Sequence, residues 1–299
     1  MNISQKKLLE TSILPRVLRP GRYAGGELNA VIKNLAECDF TMALAFPDAY
    51  EVGMSNLGFS IIYHLVNAIE GAACERVFAP WPDMEAELRN SNIPLFSLET
   101  RTPLSEFDIL GFSLGYELNY TGILTVIGLG GIPLRAAARD DSHPLVIGGG
   151  CCCFNPEPLA DFFDVFFLGE GEESLPEFIE KFRELKTSGA SRGAMLREFS
   201  KIGGLYVPSL YTPKYENGAF AGIETAAGAP ATVHKRFVAD LSASFFPPAP
   251  VMPSIEAVHD RGNLEIFRGC TRGCRFCHAG MVYRPMRERP AARILKMAE

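Results

Sequence analysis

The sequence carries no excess of positive charge. Lys and Arg number 29 against 35 Asp and Glu, a net charge of −6, which argues against a broad nucleic-acid-binding face. It also lacks an apolar run clean enough for a membrane span. The longest uncharged stretch, Leu118–Leu134, is broken by Asn119, four glycines and Pro133, and reads as a buried helix with its turn. No secretory leader is expected, because Met1–Lys7 has charges but no apolar core behind it. Of eight cysteines, three share one short loop and three are consecutive. That is not a disulfide framework, and a reducing cytoplasm is the expected compartment. No internal repeat is evident. Gly128-Leu-Gly-Gly131 follows a predicted helix rather than a strand, so it is not a dinucleotide fingerprint.

What is present is enough for a large core: 299 residues, 47% of them hydrophobic, consistent with two domains. Ser4–Ile13 predicts a short amphipathic helix, and Arg16, Arg19 and Arg22 a solvated basic face. A βα rhythm follows. Phe40–Phe46 is an apolar strand, and Ser55 is placed to N-cap a helix running to about Glu70. Cys74–Phe78, Asp108–Ser113, Pro144–Gly148 and Val165–Leu168 read as further strands, with Pro94–Leu98 a weaker one. Helices are expected over Asp83–Asn90, Asn119–Leu129 and Ser174–Leu185. Strands alternating with helices predict an α/β fold with a doubly wound parallel sheet, whose ligands sit beyond the carboxyl ends of the strands. Pro47–Gly53, Ser113–Glu117, Gly148–Cys153 and Gly169–Glu173 are then expected along one rim. After Gly203 the texture changes to a small antiparallel β segment. It comprises Leu205–Pro208, the pair Tyr211–Glu216 and Ala219–Glu224 across Asn217-Gly218, and Thr232–Val238. Phe245–Pro253 is a proline-rich connector.

The chemistry concentrates in Cys270-Thr-Arg-Gly-Cys274-Arg-Phe-Cys277, behind a predicted short buried strand, Leu264–Phe267. Three soft thiolates on one compact loop favour an Fe–S cluster or zinc. Cluster irons normally take four cysteines, so a local set of three leaves one iron without a protein ligand.

C-x3-C-x-aromatic-C after a strand resembles the signature of the radical S-adenosylmethionine (radical SAM) enzymes. The resemblance implies that Cys270, Cys274 and Cys277 bind a [4Fe-4S] cluster whose fourth iron is chelated by S-adenosylmethionine. Phe276 would lie beside the adenine. Reductive cleavage of S-adenosylmethionine would then yield a 5′-deoxyadenosyl radical, with electrons from a donor such as flavodoxin or ferredoxin. Further upstream, Phe112-Ser113, Val146–Gly150, Asn155-Pro-Glu157 and Leu168–Glu172 resemble the cobalamin-binding-like, Rossmann-like domain that precedes the barrel in many such proteins. Pro47–Gly58, Asn155–Asp161 and Phe267–Pro290 resemble an uncharacterised subfamily of B12-binding-domain radical SAM proteins. One departure stands out. Where cobalamin domains with a lower axial histidine carry D-x-H-x-x-G, this chain has Asp48-Ala-Tyr50-Glu-Val-Gly53. Cobalamin is then either held without a protein ligand to cobalt, or the domain is a vestigial scaffold.

Other readings stay open beside this one. Zinc with His278 as fourth ligand competes, although adjacent Cys277 and His278 converge poorly on one ion, and inert thiols are a third choice. Glu170, Glu172 and Glu173 are either a cation site or acids favoured at a helix start. Cys151, Cys152 and Cys153 are either a redox or metal site or small packing residues, since adjacent side chains in extended chain alternate direction, and His64 reads as packed or superficial rather than as a base. Arg272 and Arg275 either tune the cluster or are solvated loop charges. The expected organisation is an N-terminal segment 1–38, the α/β domain 39–203, the antiparallel segment and connector 204–253, and the start of a radical SAM barrel at 254–299. Residues 278–299 amount to one βα unit, with Pro290 at the N1 position of its helix. A full barrel takes about 250 residues. The chain is therefore expected to be the N-terminal part of an enzyme and inactive alone. The alternative is a noncatalytic cobalamin- or metal-binding module acting with a separate protein. Neither substrate nor oligomeric state is legible.

Overall fold

Apolar side chains at every position of Phe40–Phe46 (β1) except Thr41 make a strand that only a covered sheet can accept, and all seven residues are buried. The computed structural model describes residues 1–259 and 261–299, so the span expected as the barrel start contains one residue, Asp260, outside the described residues. Around β1 stand β2 (Ala72–Phe78), β3 (Ile109–Ser113), β4 (Leu145–Gly149), β5 (Val165–Phe167) and β6 (Leu205–Tyr206), in the order β2-β1-β3-β4-β5-β6. The first five are parallel, while β6 runs antiparallel to β5. Leu205-Tyr206, expected in a separate β segment, thus joins the main sheet. It is buried there because its apolar pair caps the edge beside Phe166 and Phe167.

Alternation along β1 splits its side chains between two cores. Ala43 and Ala45 face Leu9, Ile13, and helices α4 (Pro82–Ser91) and α5 (Tyr120–Leu129). Met42, Leu44 and Phe46 face α3 (Leu57–Asn67), α6 (Gly171–Thr187) and α7 (Arg192–Phe199). Fully burying each large apolar side chain contributes about 1.5–3 kcal/mol, so this three-layer arrangement is driven by the apolar runs themselves. Leu9 and Ile13 are held by an N-terminal turn after α1 (Ile3–Leu8), whose capping box joins Asn2 and Gln5.

Several local expectations change. The N-cap of α3 is Asn56, whose side chain accepts from Phe59 N–H at 2.9 Å, while Ser55 Oγ donates to the Glu51 carbonyl. Pro94–Leu98 forms no strand, only a bridge from Phe96 to Pro103. Thr232–Val238 likewise contributes one bridge, Gly169 to Arg236. Arg22 is buried rather than solvated: it forks onto Glu51 and stacks over Trp81 at 4.7 Å. Edge strand β2 buries two charges, Glu75 and Arg76. Arg76 is tolerated because Glu99 (2.7 Å) and Glu27 (2.9 Å) flank it. The hairpin of β7 (Tyr211–Glu216) and β8 (Ala219–Thr225) is as expected, and Asn217 and Gly218 take φ of 51° and 81°, the positive pair such a turn needs. Phe245–Pro253 does not dangle. Met252 N–H bonds to Leu28 O, and Pro250 O accepts from Asn29, so the connector lies against the N-terminal segment.

Candidate functional site

The cysteine loop is set off by a two-residue neck. β9 (Phe267–Arg268) pairs antiparallel with β10 (Arg287–Glu288), and Arg289 N–H bonds to Ile266 O at 2.8 Å. The expected buried strand Leu264–Phe267 is therefore not formed. Leu264, Ile266 and Phe267 are 44%, 49% and 48% exposed, because the segment pairs with its own return rather than entering a sheet. Gly269 is obligatory at the neck: its φ is +92°, and a Cβ there would stand 2.7 Å from Tyr283 O. After the loop come α8 (Ala279–Val282) and α9 (Ala291–Ala298), with Pro290 at the N-cap of α9 rather than at N1.

Within the loop all three cysteines are free, Cys270 and Cys277 partly buried and Cys274 exposed. Arg272 N–H points at Cys270 Sγ (3.5 Å) and Gly280 N–H at Cys277 Sγ (3.3 Å). Backbone donors on the sulfurs suit thiolates that ligate iron, and so does a donor set of three soft ligands. The sulfurs are not gathered on one centre: among the described residues no three His, Cys, Asp or Glu side chains lie close enough together to hold a metal. Phe276 is 91% exposed. Arg272, Arg275 and His278 are exposed as well.

What fixes the loop to the α/β domain is an ion cluster that the sequence reading did not foresee. Arg268, two residues before Cys270, reaches Glu172 at 2.5 Å, Glu265 at 2.8 Å and Glu170 at 3.4 Å. Arg287 forks onto Glu170 at 2.6 and 2.7 Å, and Arg289 reaches Glu265 at 2.5 Å. Burial by itself would raise the Glu170 carboxyl. Hydrogen bonds from Arg287 and Val238 N–H, with the Arg268 charge beside it, hold it below its ordinary value. Burial would likewise lower Arg268, but its bonds to Glu265 and Glu172 raise it, so the cluster stays charged. The acidic residues at the start of α6 thus serve as partners for arginines, with Glu173 pairing Arg236. The available sequence signal was complementarity: a G-E-G-E-E run facing Arg268, Arg287 and Arg289 around the cysteine motif.

A second contact runs through the triple cysteine. Cys151–Phe154 forms a short turn against α8, and the Tyr283 phenol lies near Cys151. Burial and that thiol push Tyr283 up to about 12. Burial drives the Cys153 thiol well above its usual range, so it is inert packing. Lys235 donates to the Val282 and Arg284 carbonyls.

Between sheet and cysteine segment lies a cavity of about 430 Å³. It opens at the carboxyl ends of β1, β3, β4 and β5, on the α3/α6 side, where the strand order reverses between β1 and β3. Ser113, Gly148–Gly150 and Gly169–Glu172 line it as expected, but Pro47–Gly53 does not; Leu57–Ile62 of α3 takes that side. Asp48–Gly53 turns away because α2 (Tyr50–Gly53) buries Tyr50, whose hydroxyl donates to Glu27 at 3.1 Å and accepts from Ser254 N–H at 3.0 Å. Position 50 does not fit the role of an axial ligand to a group bound at the rim.

Among curated proteins the chain is similar to the uncharacterised protein MJ0966 of Methanocaldococcus jannaschii, 24% identical over 266 residues. The alignment covers 86% of this chain, and the chain spans 45% of that protein's length. No solved structure matches. Among the described residues no helix is long and apolar enough to cross a membrane. Residues 58–208, half of the chain and most of the α/β domain, match the N-terminal family of radical SAM proteins. On that match, the protein belongs to the radical SAM N-terminal family.

Proposed function

We propose that the chain is the N-terminal part of a radical SAM enzyme, in which Cys270, Cys274 and Cys277 hold a [4Fe-4S] cluster. The observation that carries this reading is the loop itself: three free thiols at spacings of four and three, with backbone N–H groups on two sulfurs. When bound, the cluster supplies one electron to the sulfonium C–S bond of S-adenosylmethionine, giving methionine and a 5′-deoxyadenosyl radical. The chain's own residues supply the positioning. Arg268 and Arg287 hold both arms of the loop against the α/β domain, and Arg289 ties the two arms to each other through Glu265. Gly269 makes the turn into the first cysteine. By the resemblance of the motif, Phe276 is the side chain that would cover the adenine.

The test is anaerobic reconstitution with iron and sulfide, followed by spectroscopy with and without S-adenosylmethionine. About four irons per chain are expected, and a spectrum that changes on adding S-adenosylmethionine. Cys270→Ser, Cys274→Ser and Cys277→Ser should each lose the iron, while Cys151→Ser retains it. Stoichiometric zinc without iron after anaerobic purification would overturn the reading.

A further inference from the structure

We infer that the rim cavity is a binding site for one uncharged small molecule with an aromatic or otherwise apolar body. Its walls come from Met42, Leu44, Phe59, Ile62, Phe167 and Leu175, and it is roofed by Phe267 and Tyr283 of the cysteine segment. Its volume, about 430 Å³, falls within the roughly 300–1,000 Å³ of small-molecule sites, which are apolar with a few polar groups.

The empty space is not forced by packing. Gly149, at the end of β4, lines the cavity, and its backbone is not in the left-handed region. A Cβ there would meet only Phe167 Cβ, at 3.9 Å. Neither strain nor crowding requires glycine at this position; its effect is to keep the cavity open. Ser113, the register partner of Gly149 on neighbouring β3, is another small residue at the floor.

Electrostatics decides the ligand class. The lining holds three carboxylates, Glu170, Glu172 and Glu265, and each is already matched by an arginine. A charged ligand would have to break one of these pairs or stay buried without a partner, and both are costly. The start of α6, where an anion would otherwise be favoured, carries its own carboxylates, Glu172 and Glu173. Nucleotides, phosphates and the sulfonium of S-adenosylmethionine are disfavoured together, whereas apolar surface is rewarded. This assignment goes beyond the radical-enzyme reading and does not require the cluster.

The experiment uses cluster-free protein and the neutral fluorescent probe N-phenyl-1-naphthylamine. One saturable site per chain is expected. Gly149→Leu and Ser113→Leu should each weaken binding at least tenfold while keeping the far-ultraviolet circular dichroism and cooperative melting of the parent protein. Millimolar ATP should not displace the probe. Should Gly149→Leu fail to fold, Ser113→Leu decides. Absence of saturable binding, equal affinity in the folded variants, or displacement by ATP overturns the assignment. Because iron is absent throughout, these outcomes are independent of whether the cysteine loop binds a cluster.

Discussion

Arg268→Met tests whether the ion cluster holds the cysteine segment in place. In the native arrangement Arg268 is the meeting point of three carboxylates, and its side chain is 11% exposed. Removing it leaves Glu265 with Arg289 and Glu170 with Arg287, both within 2.6 Å. Glu172 is the group left stranded: its side chain is 8% exposed, and among the described residues Arg268 is its ion-pair partner. Breaking a buried pair from one side costs about 3–5 kcal/mol. The lower figure applies, because Glu172 lies in the first turn of α6, where the helix dipole favours a carboxylate by about 0.3–1 kcal/mol. At 1.4 kcal/mol per decade, a loss of about 3 kcal/mol is roughly a hundredfold in the opening equilibrium. Hydrogen exchange read by mass spectrometry should show peptides across 264–290, which contain the Arg289 N–H bonded to Ile266 O, exchanging about a hundredfold faster. Peptides from β1, β3 and β4 should be unchanged. Adding Glu172→Gln should recover at least half of the loss, since it removes the stranded charge. A change below threefold, or a uniform acceleration across the whole sheet, would refute the reasoning.

Three other expectations follow from the same geometry. His64 is packed, as expected, at 8% exposure with Nε2 unpartnered, and burial followed by the Arg76 charge lowers its pKa from 6.5 to about 4. The unfolded chain takes up this proton below pH 6.5 and the folded one only near 4. Stability should therefore fall by about 3 kcal/mol across that window; urea midpoints at stepped pH should flatten there in His64→Phe, and identical profiles would dismiss the assignment. Gly269→Ala places a Cβ against backbone atoms of Tyr283 and Met286 at 2.7 and 2.8 Å. The strain is about 1–3 kcal/mol, and iron per chain after reconstitution should drop by more than half; undiminished iron would show that the turn adapts. With Cys274 and Phe276 exposed, S-adenosylmethionine would lack orienting walls, and orientation is worth about 7–11 kcal/mol in well-aligned systems. A timed anaerobic assay on the reconstituted 299-residue chain should yield little 5′-deoxyadenosine, and turnover matching that of a longer family member would contradict this.

Elements built from continuous apolar runs were legible in the sequence. β1 has the expected bounds, and β3, β4 and β5 fall within a residue of theirs, because strands buried on both faces announce themselves without reference to partners. The β7–β8 turn was equally plain, since Asn-Gly is one of the few pairs that accepts two positive φ values. Misread positions depend on distant partners. Glu75 and Arg76 fall in a strand that was expected, but their burial is explained only once Glu27 and Glu99 are seen beside Arg76. Arg22 reads as a surface charge until Glu51 closes on it. At the site, the cysteine spacing was visible at once, but the arginines that seat the loop were not, because their partners lie about a hundred residues upstream.

The route of the connector bears on the order in which the protein can fold. Tyr50 bonds to Ser254 across 204 positions, Val258 N–H bonds to Glu51 O, and Glu170 meets Arg287 across 117. Contacts this remote cannot form until the intervening chain has been made and the sheet is in place, since loop closure is paid before such contacts reward it. During synthesis the α/β domain emerges first and folds as a unit. The cysteine segment then arrives at a finished surface, with Glu170 and Glu172 already set at the head of a helix.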